Sequence, residues 1–200
     1  MRLLLFIFLF SSFSYQKTYY LLFVGNSLTY TNDLPALVRK EAKKQGVKVR
    51  TKMLASPNYA LVDHWFQGEV QKYIQTGKFD FVIMQQGPSS QADGKRMLLS
   101  SGSQFSKLCN QVGSELVFFM VWPSRRYYAT YDSVISNYKN AAISSDAILC
   151  PVGEVWKNHF DETNDFSYYG LDGFHPSFRG SQVAAEVIVE TLFNEKSDSN

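Results

Sequence analysis

Residues 19–29 read Tyr19-Tyr20-Leu21-Leu22-Phe23-Val24-Gly25-Asn26-Ser27-Leu28-Thr29. Tyr19 to Val24 is an unbroken apolar and aromatic run of strand length, the pattern of a parallel strand buried on both faces. Gly25 interrupts it, and Ser27 falls just beyond the strand's carboxyl end. In an open α/β sheet that edge is where ligands bind. By itself a Ser after a Gly-Asn turn is a common helix cap or solvated turn residue. A second stretch changes its meaning. Leu171-Asp172-Gly173-Phe174-His175-Pro176 places a carboxylate and an imidazole three residues apart, close to the other end of the chain. Ser, Asp and His in that order are the components of a serine hydrolase.

Between these stretches, strand and helix patterns alternate. Asp33-Leu34-Pro35 is a helix start, followed by Leu34, Leu37, Val38 and Ala42 at helical spacing up to Gly46. Val47 to Leu54 alternates as a second strand. Leu61, Trp65, Val70 and Ile74 predict a helix broken near Gly68. Phe79 to Met84 is a third strand, Met97 to Val112 a helix, and Leu116 to Val121 a fourth strand. Tyr131 to Ser144 is helical, and Ala147 to Val152 is a fifth strand. A short helix is expected over Val155 to Phe160, and Ala184, Val187, Ile188 and Leu192 mark one face of a last one. Five strands alternating with helices predict a three-layer α/β/α sandwich around a five-stranded parallel sheet.

Residues 1–14 have the pattern of a secretory signal peptide: Arg2, the apolar run Leu3 to Phe10, then small residues at Ser12 and Ser14. Eight apolar residues are too few to cross a ~30 Å hydrocarbon core, so stable membrane insertion is not expected. Residues 15–200 are expected to form one domain, exported to an extracellular or periplasmic space. The formal net charge is +2. With no basic stripe evident along the chain, nucleic acid is not an expected partner. Cys109 and Cys150 lie in apolar or helical contexts and read as buried free thiols rather than a bridge. His64 and His159 read as structural. No His/Cys/carboxylate spacing suggests a metal site, and the chemistry calls for no cofactor.

The strand–helix alternation puts Ser27, Asn58, Gln85, Gln86 and the Trp122–Tyr128 loop on one rim of the sheet, and the Asp172–Pro176 loop can reach the same rim. There His175 can take the Ser27 proton, because an imidazole titrates near neutral pH, and Asp172 can orient its other nitrogen. An oxyanion needs donors. The backbone N–H of Ser27, one from the loop after the second strand, and a side-chain amide after the third strand would supply them. Tyr30, Trp122, Arg125 and Tyr127 are candidate substrate contacts; an ordinary loop with solvated arginines would have the same composition, and both readings stand.

The chain resembles the SGNH (GDSL-like) hydrolases in Gly25-Asn26-Ser27-Leu28, in Asp172-x-x-His175-Pro176, and in strand order and spacing over most of residues 19–193. The resemblance implies the flavodoxin-like fold of that family, with Ser27 as nucleophile, His175 as base and Asp172 as its orienting partner. Asn58 falls nearest the place of the family's second-block Gly, and Gln86 or Gln85 the place of its third-block Asn. Both positions depart from the family pattern. The activity implied is hydrolysis of acyl esters, including acetyl esters, of carbohydrates or lipids. A non-catalytic carbohydrate-binding module on the same fold, and an acyltransferase using the same three residues, are the alternatives.

Overall fold

The computed structural model describes residues 16–194; the expected signal peptide and the polar tail lie outside the described residues. The chain runs β1 (Thr18–Gly25), α1 (Ser27–Tyr30), α2 (Leu34–Lys44), β2 (Lys48–Ala55), α3 (Leu61–Gln67), α4 (Glu69–Ile74), β3 (Phe81–Met84), α5 (Ala92–Val112), β4 (Glu115–Phe119), α6 (Tyr131–Ser144), β5 (Ile148–Cys150), α7 (Val152–Thr163) and α8 (Phe178–Phe193). Short 3-10 turns fill Thr31–Asp33 and Arg125–Thr130.

All strand pairs are parallel, in the order β2-β1-β3-β4-β5. This is the expected doubly wound sheet. The strand order reverses between β1 and β3, so a crevice opens at their carboxyl ends. Leu21 to Val24 of β1 and Phe81 to Met84 of β3 are fully buried, as a sheet covered on both faces requires. β2 is an edge strand and alternates instead, with Lys48, Arg50 and Lys52 exposed.

Local chemistry explains the helix starts. The Asp33 carboxylate accepts from the Ala36 N–H at 3.2 Å and caps α2, with Pro35 in its first turn. Gly68 adopts φ 77°, and separates α3 from α4. There only glycine is unstrained.

Most elements lie within one or two residues of expectation, and the instructive differences are these. α5 begins at Ala92, not Met97, because its first turn carries Asp93, Gly94, Lys95 and Arg96 and so lacks apolar periodicity. β4 ends at Phe119. β5 ends at Cys150, and Val152, expected in that strand, opens α7. The cause of the last is a close approach. The Gly153 N–H donates to Met120 O at 3.1 Å, and a Cβ on Gly153 would lie 2.1 Å from Val121 O. The start of α7 is thus pressed against the chain leaving β4.

Cys109 and Cys150 are both buried and unbridged. Burial pushes each thiol up to about 12, which makes both poor nucleophiles at neutral pH.

Because the Gly153 contact is with backbone, Gly153→Ala is expected to lower unfolding free energy by about 1–3 kcal/mol, the usual cost of overpacking. Urea denaturation followed by far-UV circular dichroism measures it, and a loss under 0.5 kcal/mol would contradict so close a contact.

Candidate active site

Ser27 is the first residue of α1, directly after β1. The turn that presents it is set by Asn26. The Asn26 Oδ1 accepts from the Leu28 N–H at 3.1 Å, capping the helix, and from Gln85 Nε2 at 3.1 Å. Its Nδ2 donates to Tyr59 O at 2.9 Å, so one side chain joins the Ser27 turn to the loops following β2 and β3. Gly25 is needed for the same junction: a Cβ there would lie 2.4 Å from both Gln85 Oε1 and Thr29 Oγ1.

The Asp172–Pro176 loop, between α7 and α8, meets Ser27 at the rim. His175 Nε2 lies 2.9 Å from Ser27 Oγ, and His175 Nδ1 lies 2.6 Å from Asp172 Oδ2. The other Asp172 oxygen accepts from the Phe174 and His175 N–H groups, each at 2.9 Å. The hydrogen bond from His175, backed by these two amides, holds the Asp172 carboxyl below its ordinary value. The carboxylate therefore remains charged where an imidazolium at His175 would need it. It also fixes the imidazole with Nδ1 as donor, leaving Nε2 free to accept the serine proton.

The loop is anchored on several sides. Trp122 Nε1 donates to Phe174 O at 2.9 Å, the Arg125 N–H to Gly173 O at 2.7 Å, and Asn32 Nδ2 to Pro176 O at 3.2 Å. The Gly170 N–H donates to His175 O at 2.7 Å. Asn32 also donates to Ser181 Oγ at 3.0 Å and sits at φ 57°, a conformation Asn tolerates better than most residues. Its part was missed in the sequence; an Asn in a Thr-Asn-Asp turn signals only a turn.

Ser27 opens into a cavity of about 340 Å³, lined among others by Asn58, Tyr59, Gln86, Met97 and Phe174. Asn58 is at φ 61°, so the left-handed conformation a Gly would favour is retained at this position. Among the described residues, neither the Ser27 N–H nor the Asn58 N–H has a hydrogen-bond acceptor. A second cavity of about 450 Å³ adjoins the first. Pro88 and Phe174 line both, and Pro123, Ser124 and Tyr127 line the second.

The remaining candidate residues are placed as follows. Gln85 is fully buried; its Oε1 accepts from the Asn26 N–H and Thr29 Oγ1, and its Nε2 serves Asn26. Gln86 lines the cavity, but its Nε2 donates to Ser89 Oγ at 2.7 Å and Gly94 O at 3.0 Å, which engages both hydrogens. Their longer arms reach back into the protein, so these amides brace loops instead of facing the cavity. Trp122 is fully buried, stacked on Trp156 with ring centroids 3.5 Å apart, and therefore supports the His175 loop instead of contacting a substrate. The Arg125 guanidinium lies over the Phe166 ring at 4.4 Å, away from both cavities. Tyr30 is half-buried and lines neither cavity, whereas Tyr127 is exposed and lines the second.

His64 and His159 have packing partners. His64 Nε2 is 2.8 Å from Gly25 O, which requires the proton on that nitrogen. His159 stacks on Tyr168 at 4.3 Å and lies 3.3 Å from Asp165.

No protein-family model matches the chain, and no curated protein does. Solved structures do. A protein classed as an SGNH hydrolase, from Slackia heliotrinireducens, superposes with a TM-score of 0.74 at 24% identity, over 88% of this chain and 100% of its own. A lipase/acylhydrolase from Enterococcus faecalis gives 0.70 at 14% identity, over 89% and 97%. A variant of an acetyl-xylooligosaccharide esterase from Geobacillus stearothermophilus gives 0.72 at 12% identity, over 89% and 95%. The chain has the SGNH-hydrolase fold. The site geometry described above occupies the carboxyl rim of that fold, at the reversal of strand order.

Burial lowers the His64 pKa from its ordinary value. The unfolded chain then binds more protons than the folded one below about pH 6.5, so stability rises with pH through the window between the folded and unfolded values and is lost as pH falls through it. Unfolding measured from pH 7.5 to 5 should show this slope, and His64→Gln should flatten it. An unchanged slope in the variant would remove His64 as its source.

Proposed function

We propose that the chain is an exported serine ester hydrolase that works through an acyl-enzyme on Ser27. The observation that carries this reading is the continuous relay from Ser27 Oγ to His175 Nε2 at 2.9 Å and from His175 Nδ1 to Asp172 at 2.6 Å. As Ser27 Oγ attacks the ester carbonyl, His175 takes its proton and Asp172 steadies the resulting imidazolium. The tetrahedral oxyanion is held by the backbone N–H groups of Ser27 and Asn58. His175 then delivers its proton to the departing alcohol. Water, deprotonated by the same imidazole, releases the acid.

With both Gln86 amide hydrogens engaged, this site runs on two oxyanion donors. One missing donor costs roughly 10²–10³ in rate, so turnover is expected to be modest. The cavity at Ser27, about 340 Å³, suits a small acyl group such as acetyl. The adjoining one, with Tyr127 exposed along it, suits the alcohol portion of a carbohydrate ester, because a pyranose ring presents an apolar face to an aromatic ring. The acetyl-ester activity in the name of the Geobacillus protein is consistent with that choice.

Fluorophosphonate labelling read by intact mass should give one adduct, absent in Ser27→Ala and His175→Ala. A folded wild-type chain that takes no adduct would instead identify a binding module on this fold. For activity on an acetylated sugar, Asp172→Asn is expected to lower kcat by about 10²–10⁴. Tyr127→Ala should raise KM several-fold while leaving kcat within about twofold; an equal fall in kcat would refute a role confined to binding.

A further inference from the structure

The structure gathers a basic groove that the order of the chain conceals. Residues 39–52 hold seven of the chain's 20 Lys and Arg and one of its 18 Asp and Glu. That stretch carries +6, and the remainder of the chain carries −4. Four of the seven come together along the outer edge of β2, which among the described residues pairs only with β1. There a hollow of about 680 Å³ is lined by Arg39, Lys43, Lys48 and Arg50, all exposed, and by no carboxylate. The expectation of no basic stripe is thereby corrected: α2 and β2 each contribute half of it.

The cations flank the edge from both sides. Arg39 donates to Thr51 Oγ1, which places α2 on the face of β2 that carries Thr51. Lys48 and Arg50 alternate with Val49 and Thr51 and so point to the opposite face, where Lys52 lies over the Tyr73 ring at 5.0 Å. Lysines on an edge strand discourage strand-to-strand aggregation. That explains the three basic residues of β2 but not Arg39 and Lys43, which belong to a helix. None of the four cations lining the hollow is in an ion pair among the described residues.

We propose that this groove binds an anionic polysaccharide carrying repeated carboxylates, laid along the β2 edge. A linear polyanion meets cations on both sides and finds between them the outer edge of β2, whose N–H groups have no strand partner among the described residues. No aromatic ring lines the hollow, as base stacking on single-stranded nucleic acid would need. Lys48 is level with Thr18 and Arg50 with Tyr20, seven and five residues before Gly25, which puts the groove roughly 17–23 Å from the Ser27 turn at ~3.3 Å per strand residue. Polymer held there leaves Ser27 open, and tethering raises the local concentration of its ester groups. The proposal rests on the ester-hydrolase reading only for the choice of polymer; the binding itself needs no catalysis.

The test uses Ser27→Ala protein on immobilised polygalacturonate, with dextran as the neutral control and phosphatidylglycerol vesicles and single-stranded DNA as competing anions. Expected are retention on polygalacturonate at 50 mM salt, none on dextran, and a steep loss of affinity with salt. Lys43→Glu with Lys48→Glu should weaken binding at least tenfold, and Lys43→Gln with Lys48→Gln by less, with thermal unfolding unchanged. Both pairs, in the Ser27 background, should hydrolyse a small acetyl ester as the parent does. No retention, retention that both variants preserve, or tighter binding to vesicles or DNA would overturn the proposal. Retention by a chain that hydrolyses no ester would leave the groove standing and remove the catalytic reading.

Discussion

β1 ends inside the protein, and its last backbone polar groups must find partners there. A buried carbonyl or amide without one costs on the order of 1–3 kcal/mol. Val24 O accepts from the Gln85 N–H at 2.9 Å, Gly25 O from the Ser56 N–H at 3.2 Å and from His64 at 2.8 Å, and the Asn26 N–H donates to Gln85 Oε1 at 3.1 Å. Three chain segments are therefore tied to one strand end. The loop after β2 carries Asn58, the loop after β3 carries Gln86, and α3 carries His64. Ser27 is held at the centre of this knot, and its N–H and that of Asn58 are left over as donors. Satisfying the strand end and leaving these two N–H groups beside Ser27 are the same arrangement.

The other half of the site depends on the chain leaving β4. Trp122, buried against Trp156, holds Phe174 O, and Arg125 holds Gly173 O through its backbone. Asp172 caps the loop's own amides. A loop so restrained loses little rotational freedom when His175 meets Ser27, which is what a preorganised site requires. The aromatic residues expected on the rim contribute more as scaffold than as surface. A Trp that follows a buried strand and packs beside a second Trp has a single polar atom, and that atom must find an acceptor.

Much of the fold was legible because it rests on local patterns. The apolar runs of β1 and β3, the Asp33-Leu34-Pro35 helix start and the break at Gly68 are each decided by a few neighbouring residues. The edge character of β2 also shows in its alternation. The misplaced boundaries have non-local causes: α5 starts among polar residues, and α7 begins where Gly153 fits under Val121 O. Of the candidate site residues, Ser27, Asp172 and His175 were readable because their chemistry is unusual in that order. Gln85, Gln86, Trp122 and Arg125 were not, because an amide, an indole or a guanidinium has the same formula whether it faces a cavity or a backbone carbonyl.

The sequence by itself determined the layered α/β architecture and singled out Ser27, Asp172 and His175 as the candidate site, since strand periodicity and residue chemistry are properties of short stretches. Only the tertiary structure decided that Asn58 keeps a left-handed backbone beside Ser27, that both glutamines are spent on loops, and that basic residues of α2 and β2 share one groove. Each of these depends on which groups lie opposite one another across the packed layers. Hydrogen-bond partners and local charge are set by that proximity, and it cannot be read from separation along the chain.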